Sequence, residues 1–229
     1  MKKKDHFIYG DIIRPIIFGI NDGTVSTLAL VASLVGASLA NRIIIIGGLA
    51  EMITGAISMA LGEYISSKSK VEYYKGEMNK EENEINKKSK GEISELKEIY
   101  KRRGFKGKEL NILIKIFTSN KDRWKKLKCE EELGLLKTKF DNPKKVGFVM
   151  GIAFTLSALI PVIPFFFFEA KTSLVVSIVL CSLVLFSVGV IKTRFSNRIW
   201  YKSGLEMVLI GLIATFIGYY LGEFFSNIL

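Results

Sequence analysis

Five apolar runs, each long enough to cross a hydrocarbon core, alternate with short polar breaks and one long polar segment. A membrane-spanning helix needs about 20 apolar residues, and the runs at 16–40, 43–65, 146–168, 173–191 and 205–225 reach that length. Between the second and third runs, residues 67–145 are polar but helical in character, punctuated by Gly91, Gly104 and Gly107. That punctuation predicts helices over 66–88, 92–103 and 108–136, the last with a break near 118–121. The predicted fold is an all-α integral membrane protein of five transmembrane helices, with a helical cytoplasmic insert between helices 2 and 3. Its predicted domains are 1–66, 67–145 and 146–229.

Composition sharpens this picture. Hydrophobic residues make up 49% of the chain and mean hydropathy is +0.29, yet 24% of residues are charged, so charge is segregated from the apolar runs. Lys2, Lys3 and Lys4 precede the first run, and Lys192, Arg194, Arg198 and Lys202 lie between the fourth and fifth, whereas the break around Glu169 and Lys171 is neutral. Basic loops face the cytoplasm, which predicts a cytoplasmic N-terminus and insert and a C-terminus on the opposite side. The first run is too long for a cleaved signal, contains Asp22 and lacks a small-residue cleavage site, so it is expected to stay as a span. A lysine- and isoleucine-heavy chain without a targeting extension predicts a microbial cell membrane. The insert carries 23 Lys and Arg against 14 Asp and Glu, most of the net charge of +11. That balance suits anionic lipid headgroups; without aromatic interleaving or a known motif, nucleic acid is not an expected partner.

The same counts remove several chemistries. His6 is the single histidine, which removes the usual zinc and paired-histidine di-iron sites. Cys129 and Cys181 form no disulfide framework, and no phosphate-binding GxxxxGKS/T loop occurs. A metal would be held by carboxylates, thioether, backbone and water. No prosthetic group is expected.

Candidate chemistry lies where charge interrupts apolar runs. A carboxylate inside the bilayer is costly and faces a bundle interior or a water-filled path. Asp22 and Glu51 are such groups: at 1.5 Å per residue, Glu51 lies about 12 Å in from Ile43 and Asp22 a comparable distance from the basic Arg14. Gly47, Glu51, Gly55, Met59 and Glu63 recur every fourth position and form one helical stripe; Asp22, Ser26, Ala29, Ser33 and Gly36 form a matching one. Two plainer readings stand beside these: Asn-Asp-Gly-Thr is ordinary helix-start chemistry for Asp22, and Met59 suits core packing. In the insert, Glu77, Glu81 and Glu84, then Glu92, Glu95 and Glu98, each share a helix face, and Glu130, Glu131 and Glu132 follow. Such faces are either solvated and paired to lysine, as Glu84 with Lys88 or Glu98 with Arg102, or carboxylate metal sites. Pro161 and Pro164 either open carbonyls to a cavity or are re-satisfied by neighbours. Gly204, Gly211, Gly218 and Gly222 suit close helix packing. The aromatic runs 165–168 and 200–201 suit interface anchors at opposite membrane faces.

At this point the residues carry a likeness. Gly19-Ile-Asn-Asp-Gly23 with Val25-Ser-Thr27, then Gly48-Leu-Ala-Glu-Met52 and Gly55-Ala-Ile-Ser-Met-Ala-Leu-Gly-Glu-Tyr-Ile-Ser66, resemble the first two spans of the vacuolar iron transporter family. Glu92-Ile-Ser-Glu-Leu-Lys-Glu-Ile-Tyr100, Arg102-Arg-Gly-Phe105, Asp122-Arg-Trp124 and Glu131-Glu-Leu-Gly134 in the insert resemble it too, as do Asn142-Pro143 and Ala158-Leu-Ile-Pro161. The resemblance implies a homodimer that exports cytosolic Fe(II) in exchange for protons, with Mn(II), Co(II) and Zn(II) as further candidate ions. It implies Asp22 and Met59 as ion ligands of the path, Glu51 within that metal path as a proton-linked carboxylate, and Glu81, Glu84, Glu92, Glu95 and Glu132 as metal ligands of the cytoplasmic domain; depth and register add the expectation that Asp22 shares the proton coupling with Glu51. Where some relatives carry a methionine pair before Glu-Leu-Gly-Leu, this chain has Lys128 and Cys129, which puts the thioether ligands of the insert in doubt. Some relatives lack the insert, which makes it an aid to transport and not the gate.

The physics of such a path is general. Moving a dication through hydrocarbon is prohibitive unless oxygen and sulfur groups replace its water. Desolvation disfavours a charged carboxylate and a neighbouring cation favours it, so metal arrival expels a proton. A thioether biases the path toward transition ions over Mg or Ca. The competing expectations are a membrane-anchored carboxylate metal enzyme and a non-transporting adaptor or sensor; the transporter reading makes the chain no enzyme.

Overall fold

A computed structural model describes residues 6–87, 89–132, 142–194 and 198–228, and all its regular structure there is helical. Eight helices follow in order: α1 His6–Gly36, α2 Asn41–Lys87, α3 Ser89–Arg102, α4 Gly107–Thr118, α5 Lys121–Glu132, α6 Pro143–Val162, α7 Ala170–Thr193 and α8 Trp200–Ile228. A 3-10 turn, Ile163–Phe166, extends α6. Five of these helices are long and apolar enough to cross a membrane, namely α1 from Ile12, α2, α6 with its 3-10 turn, α7 and α8. The five-span, all-helical class predicted from the apolar runs is therefore the class observed.

The chain divides into two compact units, 1–67 with 141–229, and 68–140. In the first, α1 packs against α6, α7 and α8, and Leu28, Val31, Ala32 and Val35 of α1 join Ile44, Val162, Phe165, Leu174 and Cys181 in a buried core. Backbones meet closely where small residues face one another, as membrane helices require. A methyl group on Gly218 would lie 2.5 Å from the Ala29 carbonyl oxygen, and one on Gly211 would lie 2.6 Å from the Leu185 side chain. The glycines of α8 thus serve packing, as their spacing suggested. Outside this core Ile46, Ile57, Leu156, Leu183, Leu209 and Phe216 are more than half exposed, the outward apolar surface a bilayer covers.

Local chemistry explains several element ends. Asn142 caps α6 by accepting the Lys144 N–H at 3.1 Å, with Pro143 at the first helical position. Asn120 accepts the Arg123 N–H at 3.1 Å and starts α5, which realises the break predicted near 118–121. Gly104 and Gly107 adopt positive φ between α3 and α4, where a side chain would be strained. The carbonyls of Pro161 and Pro164 themselves are bonded: Ser177 donates to the Pro161 oxygen at 2.8 Å, and Ser173 to the Pro164 oxygen at 3.1 Å.

Several boundaries differ from expectation. The second span and the first insert helix are one 47-residue helix, because no glycine or proline punctuates residues 63–75 strongly enough to end it. Gly91 lies inside α3 and ends nothing. Helix α1 begins well before residue 16, so Asp22 sits mid-helix and is not an N-cap. Phe165 is 1% exposed and belongs to the core. Only Phe166, Phe167 and Phe168 of that run, with Trp200 and Tyr201, are exposed as interface anchors require.

Candidate functional site

The membrane unit holds three of the predicted site residues. Asp22 lies on α1, and Glu51 and Met59 on α2; all three are half-buried. Among the described residues, neither Asp22 nor Glu51 has a hydrogen-bond or ion-pair partner. The stripe Gly47, Glu51, Gly55, Met59 and Glu63 is half-buried along its whole length. It borders a more exposed apolar face carrying Ile46, Ile53, Ile57 and Leu61. Glu63 differs from the other carboxylates in accepting a hydrogen bond from Ser67 at 3.0 Å.

Phe154 of α6 relates the two stripes. Its backbone oxygen lies 2.6 Å from where a methyl on Gly23 would sit, and its ring Cε1 lies 2.6 Å from a methyl position on Gly55. Gly23 follows Asp22, and Gly55 lies one helical turn from both Glu51 and Met59. Gly23, next to Asp22, and Gly55, between Glu51 and Met59, therefore both pack on Phe154. Ser157, one turn on from Phe154, bonds to the Gly19 carbonyl at 3.3 Å and holds α6 to the Gly19–Gly23 segment. Ser26, one turn after Asp22, has a buried hydroxyl without a protein partner. Sequence reasoning missed Phe154, whose ring gives no polar signal in an apolar run.

The insert is held by its own core of Ile85, Leu96, Tyr100, Ile114 and Trp124. Helix α5 runs antiparallel along the end of α2: Lys121 bonds to Asn86 at 3.1 Å, Lys125 pairs with Glu82, and Lys128 pairs with Glu81 at 3.2 Å. Lys128 thereby joins a carboxylate cluster drawn from α2 and α3. One oxygen each from Glu81, Glu84 and Glu92 lies within 4.8 Å of the others. Glu84 is exposed, whereas the Glu92 side chain is 6% exposed and that of Glu81 12%. Glu95 is mostly exposed but reaches the same place through Lys128, 3.2 Å away. The Glu132 side chain and that of Cys129 lie outside the described residues, as does Lys88, the partner expected for Glu84.

The remaining glutamates separate from this group. Glu98 pairs with Arg102 at 2.8 Å, and that guanidinium holds its carboxyl below the usual range. Glu77 pairs with Lys80 at 2.6 Å and, by hydrogen bonding and charge, raises the lysine above its ordinary value. Both are the solvated pairs that helix spacing allowed. Of the two faces read from sequence, Glu81, Glu84, Glu92 and Glu95 therefore converge, while Glu77 and Glu98 do not.

Lys128 is the residue that spacing did not single out. Its side chain is 1% exposed, and its ammonium contacts Glu81, Glu92 and Glu95. A sequence signal existed: Lys128 falls one helical turn after Trp124, which is 5% exposed, and so shares the buried face of α5.

Comparison with known proteins extends these observations to the whole chain. The model of the VIT family matches residues 13–223. A Eucalyptus grandis protein named vacuolar iron transporter 1 is 35% identical over 214 residues, covering 93% of this chain and 86% of the relative. The Arabidopsis thaliana protein of the same name is 34% identical, covering 92% of this chain and 84% of the relative. A Plasmodium falciparum vacuolar iron transporter is 30% identical, covering 98% and 86%. With spans and insert both inside the matched region, this five-span membrane protein belongs to the VIT family.

Proposed function

We propose that this protein exports Fe(II) from the cytosol in exchange for protons, with Mn(II), Co(II) and Zn(II) as further candidate cargo. The observation that carries the reading is the pair of carboxylates Asp22 and Glu51 inside spans, without a partner among the described residues, whose neighbours Gly23 and Gly55 both pack on Phe154. Relatives named as iron transporters support iron as cargo. Asp22 and Met59 are the proposed path ligands. Glu51 and Asp22 are the proposed proton-coupling groups, each releasing a proton when metal replaces it.

In the insert, Glu81, Glu84, Glu92 and Glu95, with Glu132 by resemblance, are the proposed collectors of metal, and the 68–140 unit is the proposed metal-binding domain. The topology proposed from basic loops puts the N-terminus and this unit in the cytosol and the C-terminus opposite. The same direction of transport serves detoxification in a microbial cell membrane and storage in a vacuole. The half-exposed apolar face of α2 beside the stripe supports a homodimer with the path between subunits, and the insert's basic surface supports contact with anionic lipid.

The test is Fe(II) entry into proteoliposomes under an imposed pH gradient, followed with interior metal and pH dyes. Metal entry with proton counterflow, lost in Asp22→Ala, is expected. A native chain that moves neither metal nor protons while still binding metal would make it a sensor or adaptor.

A further inference from the structure

The insert contains a cation that belongs to the chain itself. Lys128 has 1% of its side chain exposed, and its ammonium contacts carboxylates of Glu81, Glu92 and Glu95. Glu81 and Glu92 are two of the three groups whose oxygens converge within 4.8 Å. A buried ammonium is tolerated only when such anions surround it. Conversely, acidic groups drawn this close are held together by a proton or by a cation among them. Lys128 meets both requirements at once.

We infer that Lys128 is a tethered competitor for metal at this cluster and sets how tightly the insert binds a divalent ion. The inference rests on the proposed metal-collecting role of these glutamates. A divalent ion using Glu81 and Glu92 takes carboxylates that the ammonium already contacts, and two cations so close together repel. Metal therefore enters only as the lysine side chain swings out, which its long flexible stem permits. If the ammonium occupies the cluster nine-tenths of the time, apparent metal affinity falls about tenfold. The cluster then stays neutralised at low metal and fills only when cytosolic metal is abundant.

The test uses the full-length protein in nanodiscs with Mn(II) as the probe, free ion being read by electron paramagnetic resonance. Lys128→Met is expected to bind Mn(II) about tenfold more tightly than the native chain, and adding Glu92→Gln is expected to remove that gain. Unchanged affinity in Lys128→Met, with Glu92→Gln still weakening native binding, would overturn the inference and leave the carboxylate site standing. Binding indifferent to Glu92→Gln in both backgrounds would remove the carboxylate site, and the inference with it. A second measurement needs no substitution: amine acetylation of the native protein, read by mass spectrometry at Lys128. Protection without Mn(II) and labelling at saturating Mn(II) is the expected result. Equal protection in both states, with Glu92-dependent Mn(II) bound, would show that metal and ammonium share the cluster and would overturn the inference.

Discussion

Cε1 of the Phe154 ring lies 2.6 Å from the position a methyl group would take on Gly55. That contact leaves no room for a side chain midway between Glu51 and Met59, and it brings α2 against the helix that also packs on Gly23. Gly55→Ala forces Phe154, which is 1% exposed, out of place, and overpacking of this kind costs about 1–3 kcal/mol. A lower unfolding temperature is expected for Gly55→Ala in detergent, with partial recovery in Gly55→Ala/Phe154→Leu. Equal stability of the native and Gly55→Ala chains would show that the ring moves freely.

Removal of the Glu51 carboxyl separates metal movement from proton movement. In a Glu51→Gln chain that still moves Fe(II), proton release per ion is expected to fall. Parallel metal and pH dyes in the same liposomes check it. Unaltered proton release would assign coupling elsewhere.

Met59 is expected to set ion preference through its soft sulfur. Met59→Ala should narrow the difference between Fe(II) and Mg(II) in competition assays, with little change in the amount of folded protein, since the side chain is only half-buried. Preference unchanged by the substitution would make Met59 a packing residue.

Leu96, 0% exposed, is at the centre of the insert's own core. Leu96→Ala is expected to destabilise that unit by about 2–5 kcal/mol. Limited proteolysis should then cleave within 68–140 while the spans persist. Cleavage no faster than in the native chain would mean the insert draws its stability from elsewhere.

Glu98 provides a contrasting control. Its carboxyl is held below the ordinary value of 4.5 by Arg102, so any contribution of the pair is present above that value and is lost as pH falls through the lowered one. Because the pair is exposed and screened, Glu98→Gln is expected to leave both the neutral-pH unfolding midpoint and Mn(II) binding unchanged. Loss of Mn(II) affinity in this variant would widen the metal cluster beyond Glu95.

The class of this protein was legible in its one-dimensional pattern. Apolar runs of membrane-spanning length allow few alternatives, since a chain in hydrocarbon must satisfy its backbone within helices or closed barrels. Asp22 and Glu51 stood out for the same reason, as charge is conspicuous where solvent cannot reach it. Pairing and depth were not legible, because they depend on contacts between distant segments. Helical spacing drew Glu77, Glu81 and Glu84 as one face. Only the approach of Glu92 on α3 separated Glu81 and Glu84 from Glu77, and only burial beside Trp124 turned Lys128 from one basic residue among many into a cation of the cluster. Phe154 likewise became informative once α6 placed its backbone on Gly23 and its ring on Gly55. Sequence by itself determined which segments leave water and which charges they carry. Tertiary structure decided which of those charges meet, because helix packing sets distances that no spacing along the chain contains.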